Sequence, residues 1–278
     1  MNLKEIFNTQ NPIIGMVHFP PLLGYKDFPG LEECFQKSLN DAQTLAEGGV
    51  DAILVENNYD LPHKEFVGPE TVAIMTLLTS EISKVVCLSL GVNVLWNDYQ
   101  AALSIAKVCG ARFIRVPVFV DSVKTQYGKI FAAPEKVLTF REKINATDIA
   151  LFTDIHVKHA QMLEKKTIFQ SAKEAIVKGS DGLIITGKWT GDAPDLSDLK
   201  EAREAVGKDF PILVGSGATK KNVGVLLEYA DGVIVGTALK TGETHPKEEE
   251  VNLKPWKERI SLEKTKEFVK AFRRSVPR

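Results

Sequence analysis

Short apolar, β-branched runs recur along the chain, and each is followed by a stretch of helical periodicity. The runs fall at 12–19, 51–57, 85–93, 113–120, 149–157, 182–187, 211–217 and 232–237. Their spacing is roughly 20–40 residues, the size of one strand–helix unit. Near-continuous strings such as AILVE, LIITG, PILVG and GVIVG suit parallel strands covered on both faces. The intervening helices are expected at 31–47, at 69–82 with Pro69 in the first helical position, and at 97–108, 134–144, 195–206, 220–229 and 262–273. One further helix follows the Thr167-x-x-Gln170 capping box. Eight such units in 278 residues predict an α/β chain forming a parallel eight-stranded (β/α)8 TIM barrel as one domain over residues 1–278. Two segments, 121–133 and 240–260, break the repeat and are expected as insertions after strands four and eight. The competing open doubly wound sheet lacks its G-x-G-x-x-G signature, because Gly215-Ser216-Gly217 runs on into Ala218-Thr219-Lys220.

In such a barrel the C-terminal ends of the strands carry the chemistry. Strand seven ends in Gly215, Ser216 and Gly217, and strand eight in Gly236 and Thr237. Glycines let backbone N–H groups approach an anion closely, and the loops after the last two strands often bind phosphate. Polar groups end the other strands. They are His18, Glu56, Asn57, Asn93, Arg115, the run Asp154, His156, Lys158 and His159, and Thr186 with Lys188. Strand alternation places Asp154, His156 and Lys158 on one face. Glu56, Asp154, His156 and Lys158 are the candidate catalytic groups, because three titratable side chains on one short face are costly to bury without a use. Arg115 either pairs with Glu56 or Asp154 inside the barrel or contacts a substrate, and His18 is either a structural hydrogen-bonding group or a functional one.

A divalent metal is a possible cofactor if the mouth draws Glu56, Asp154, His156 and His18 together. Gly182-x-x-x-x-Gly187-Lys188 begins like a phosphate loop, but Trp189 stands where Ser or Thr is required. The 35 Lys and Arg balance 36 Asp and Glu, so no cationic field exists to capture nucleic acid. No apolar run is long enough for a membrane span, and the start of the chain lacks the pattern of a secretory signal. Three separated cysteines predict neither a disulfide framework nor a cysteine-based zinc site, which fits a reducing, cytoplasmic setting. A homo-oligomer is expected on general grounds.

The strings IIGMVHFPPLLG, DAILVENNYDLP, GVNVLWND, TDIHVKHA, GLIITGKWTGDAP, PILVGSGATKKNV and DGVIVGTALKTG resemble the BtpA family, in order, from about residue 12 to residue 242. That family includes the SgcQ-type proteins of sugar gene clusters. The resemblance implies a ribulose-phosphate-binding TIM barrel, and it implies a fold rather than a reaction. The family-like polar positions are His18, Glu56, Asn57, Asp60, Asn93, Asp98, Arg115, Lys158, His159, Thr186 and Gly187. The chain departs from the family pattern at Trp96, where Arg is expected, and at Pro117, where Asn is expected. It departs again at His63, where an aromatic is expected, and at 22–30, where a shorter turn is expected. Two functions follow as expectations. One is an enzyme acting on a phosphorylated small metabolite, a sugar- or nucleotide-like phosphate, by acid/base or carbanion chemistry, of isomerase, epimerase, aldolase or glycosidic-bond-cleaving type. The other takes up the origin of the family's name in a cyanobacterial factor for photosystem I: a non-enzymatic stability or assembly factor.

Overall fold

The computed structural model describes residues 2–242 and 251–276. Eight parallel strands, β1 (Ile13–His18), β2 (Ala52–Glu56), β3 (Ser89–Asn93), β4 (Phe113–Val116), β5 (Ala150–Ile155), β6 (Gly182–Ile185), β7 (Ile212–Val214) and β8 (Gly232–Val235), close into a barrel in the order β1-β8-β7-β6-β5-β4-β3-β2. Closure is made by β1, which pairs with β2 through Ile14↔Ala52 and with β8 through Ile13↔Val233.

Alternation along each strand divides its residues between two cores. Ile14, Met16, Leu54, Phe113, Phe152, Ile184, Leu213 and Ile234 point inward and fill the barrel. Ile13, Val17, Ile53, Val55, Ile114 and Leu151 point outward into the larger core under the helices. The inward set explains why the barrel is packed rather than open, as the layered interiors of such folds require.

The helices are α1 (Leu3–Phe7), α2 (Leu31–Gly48), α3 (Pro69–Val85), α4 (Tyr99–Cys109), α5 (Pro134–Lys143), α6 (Ile168–Val177), α7 (Leu196–Val206), α8 (Val223–Leu226) and α9 (Leu262–Ser275). Their ends follow the expected chemistry. Gly49 stops α2 with φ 90°, Pro69 starts α3, and Thr167 forms a reciprocal capping box with Gln170 at α6.

Several expectations are corrected. The strand placed at 85–93 begins only at Ser89, because α3 continues to Val85 and Val86 N–H still donates to the Ile82 carbonyl at 3.2 Å. An unbroken apolar run hides the point where a helix hands over to a strand. The helix placed at 220–229 shrinks to the single turn of α8, because Thr219 N–H donates to Asn222 Oδ1 at 2.7 Å and holds that stretch in a side-chain turn. The insertion at 121–133 is an antiparallel pair, Val123–Thr125 with Gly128–Ile130, extended by Ala160–Met162 from the β5–α6 loop. Each strand there is three residues long, too short for periodicity to mark. In the insertion at 240–260, Lys240 pairs with Ile260 in an antiparallel bridge, while 243–250 lie outside the described residues. At the opposite end, α1 inserts Leu3, Ile6 and Phe7 beneath the inward layer, with Phe7 5.1 Å from Phe113. No helix among the described residues is long and apolar enough to cross a membrane.

Candidate functional site

A cavity of about 290 Å3 opens at the C-terminal ends of the strands. Its volume is near the lower end for sites that take a small metabolite. One wall is made by the tips of β7 and β8. Gly215, Ser216, Gly217, Gly236 and Thr237 all line it, so the two glycine-bearing tips meet in one cup. Gly217 has φ +67°, and a Cβ there would stand 2.1 Å from the Ala193 backbone nitrogen. A Cβ at Gly236 would stand 2.9 Å from His18 Cε1. Among the described residues, no acceptor meets the backbone N–H groups of Gly217, Ala218, Gly236, Thr237 and Ala238. The Ser216 side chain is not available to a ligand in the same way. It donates to the Asp192 carbonyl at 2.6 Å and accepts from Gly187 N–H at 3.0 Å, pinning the β6 loop against the β7 tip.

The floor is a polar network rooted in the inward faces of β1 to β5. Arg115 donates to Asp154 through Nε at 2.8 Å and Nη2 at 2.7 Å, in the bidentate geometry that suits guanidinium and carboxylate. Its Nη1 lies 3.9 Å from Glu56 Oε2, which also accepts from Asn93 Nδ2 at 2.5 Å. His18 Nε2 lies 3.6 Å from Glu56 Oε1. Burial works against the Arg115 charge, but Asp154 and Glu56 outweigh it and raise the Arg115 pKa above its ordinary value. Burial, reinforced by Lys240 and Lys37, drives the His18 pKa well below that of a free imidazole, so the ring is neutral. Lys158 faces the same space, and burial together with Arg115 lowers its pKa to about 8.

Asn57 and Thr186 are engaged by the protein itself. Asn57 is fully buried; it donates to Asp60 at 3.2 Å and accepts from Leu95 N–H at 2.8 Å. Thr186 Oγ1 accepts from Lys158 N–H at 3.1 Å, and His159 lines the cavity while its Nε2 meets Thr190 Oγ1 at 2.8 Å. Lys188 is exposed and lies away from the cavity lining. His156 does not join Asp154 and Lys158. β5 ends at Ile155, His156 takes φ +49°, and its N–H donates to Asp121 Oδ2 at 3.1 Å, so strand alternation stops one residue too early. Asp154 itself lies beneath the mouth, 1% exposed, with both oxygens held by Arg115. The mixed Glu56, Asp154, His156 and His18 metal set therefore does not assemble, and no other group of three or more His, Cys, Asp or Glu suited to a metal is present among the described residues.

Four participants escaped sequence reading. Lys240, just past β8, is 3% exposed and donates to Tyr59 Oη at 3.0 Å, and burial with the Lys37 charge lowers its pKa to about 7. Tyr59 in turn donates to the Lys254 carbonyl at 2.7 Å, tying the 251–254 segment across the mouth. His63 and Trp96 line the far wall. The resemblance marked both positions as departures, but no local pattern marks Lys240 or Tyr59.

Fold and site together define a (β/α)8 barrel with a ligand-sized cup at the C-terminal ends of its strands. The chain belongs to the BtpA family, whose model matches residues 9–261. It is 39% identical over 86% of its length to the photosystem I biogenesis protein BtpA of a Synechocystis strain, covering 84% of that protein. It is 37% identical to an uncharacterized protein of Pyrococcus horikoshii, over 85% of this chain and 90% of the relative. Among solved structures, thiamine phosphate pyrophosphorylase from Pyrococcus furiosus superposes with a TM-score of 0.59 at 14% identity, covering 96% of this chain and 98% of that one. N-(5'-phosphoribosyl)anthranilate isomerase from the same organism superposes at 0.56 and 13% identity, covering 95% and 99%. At such identities the likeness concerns the fold.

Proposed function

We propose that the chain is an enzyme acting on a phosphorylated small metabolite by acid/base or carbanion chemistry. One observation carries this reading: the glycine tips of β7 and β8 share a single cavity with Glu56, His18, Arg115, Lys158 and Lys240. The phosphoryl group is held by the N–H groups at Gly217, Gly236 and Thr237, and the rest of the substrate then lies over the network on β1, β2 and β4. Glu56 is the carboxylate placed to accept or return a proton, with neutral His18 beside it. Lys158 and Lys240, with pKa values of about 8 and about 7, supply either a cation beside a developing enediolate or an amine that attacks a carbonyl. Asp154 holds Arg115 in place and exchanges no proton with substrate. The solved neighbours named for phosphate-bearing compounds are consistent with the reading.

Deuterium wash-in tests it. Pentose and hexose phosphates incubated with the protein in D2O should exchange a carbon-bound proton at a rate that Glu56→Gln removes. A folded protein that neither binds nor exchanges any of them overturns the assignment. A second reading, assembly of a membrane complex, draws on the name of the Synechocystis relative. It predicts that Glu56→Gln leaves the biological role intact.

A further inference from the structure

We infer that the ligand of this mouth carries a planar ring, seated on the wall opposite the glycine tips, so that the substrate class is a phosphorylated sugar bearing a flat ring substituent. This rests on the reading of the β7 and β8 tips as the phosphate anchor.

Position in the barrel comes first. In the closed strand order, β3 lies four places from β7 and β4 four places from β8. Trp96 follows β3, and Tyr127 sits in the turn between the two short strands that follow β4. His63 belongs to the β2–α3 loop on the same side. All three line the cavity with Leu95, Pro117 and Val157. A molecule anchored at the glycine tips crosses the acid/base floor and ends among these side chains.

Their chemistry selects what that end must be. Trp96 is 6% and His63 4% exposed, and the His63 and Tyr127 rings meet edge to face at 5.4 Å. Trp96 and Val157 pack into a small apolar cluster with Val118, Val123 and Ile130, which fixes the wall behind the rings. Broad π-faces held this way favour a flat partner. His63 is buried with its ring nitrogens against the Asn57 and Asn58 backbone, so it contributes a ring to this wall and no free donor or acceptor. A second sugar would bring a ring of hydroxyls to a wall built largely from Trp96, Tyr127, Leu95, Pro117 and Val157. A flat ring suits that wall better.

Titration calorimetry on the full chain tests this with ribose 5-phosphate, AMP, CMP, nicotinamide mononucleotide, sucrose 6-phosphate and adenosine. At least one ring-bearing phosphate should bind about tenfold tighter than ribose 5-phosphate, the factor expected of one stacked ring. Trp96→Leu and His63→Ala should bring that ratio close to one. Tyr127→Leu, at a half-buried turn position, should lower it in the same direction if the buried variants fail to fold. Ribose 5-phosphate binding as tightly as every ring-bearing phosphate overturns the inference and leaves the phosphate anchor standing. So does sucrose 6-phosphate binding tightest. Adenosine binding with no contribution from phosphate supports the ring wall and overturns the anchor. No binding by any of the six overturns both.

Discussion

Arg115 and Asp154 show how one residue pair sets the character of the mouth. The guanidinium is 6% exposed and the carboxylate 1%, and each is the other's main partner. Removing one member of a buried pair leaves a charge without compensation, which costs about 3–5 kcal/mol. Asp154→Asn should therefore lower the melting temperature by several degrees, and it should weaken binding of sugar phosphates because Arg115 is no longer held at the floor. Thermal denaturation and titration of the same variant check both effects. Unchanged values in both would remove the positioning role. The lysines make a prediction about pH. Lys240 and Lys158 have folded pKa values of about 7 and about 8, below the ordinary lysine value of 10.5. Between those values and 10.5 the unfolded chain binds more protons than the folded one. Stability contributed by these sites therefore rises with pH across that window, starting near pH 7 for Lys240. Anion affinity moves the opposite way, because both cations lose their charge. Phosphate-ester affinity should fall from pH 7 to pH 9 in the native protein, and Lys240→Met should flatten the first part of that decline.

At the scale of elements, caps and loops decide where side chains emerge. Asp98 starts α4 by accepting from Ala101 N–H at 2.8 Å, and its second oxygen accepts from Val67 N–H at 2.9 Å. It thus joins a helix cap to the loop before α3. Asp98→Ala should cost about 1–2 kcal/mol, the upper range for a lost cap, read as a shift in urea midpoint. Asp98 was visible in the sequence as a family-like residue, but its link to Val67 was not, since that bond joins two units 31 residues apart. His156 illustrates the reverse. Its spacing from Asp154 is right for a strand, yet β5 ends at Ile155 and φ +49° turns the residue away from the mouth. Period-two arithmetic holds only while the ladder of hydrogen bonds continues.

At the scale of the molecule, the barrel has two unlike ends. One is the polar cup. The other is sealed by α1, where Phe7 packs 5.1 Å from Phe113 and 5.7 Å from Phe152 and is 3% exposed. Phe7→Ala should cost about 3–5 kcal/mol, since it opens a cavity beneath the inward layer that the strands cannot collapse to fill. Chemical denaturation measures it, and a loss below about 1 kcal/mol would show that α1 is not part of the core.

Eight strand–helix units, the inward parity of Met16, Arg115 and Asp154, and the glycine tips at 217 and 236 were determined by the sequence itself, because hydrophobic period and turn chemistry act over a few neighbouring residues. Which polar groups meet was decided only by closure of the barrel and the paths of its loops. Lys240 reaches Tyr59 across 181 positions, Trp96 and His63 come to share a wall, and His156 leaves. Contacts between distant units depend on where whole elements dock, and no local pattern carries that information.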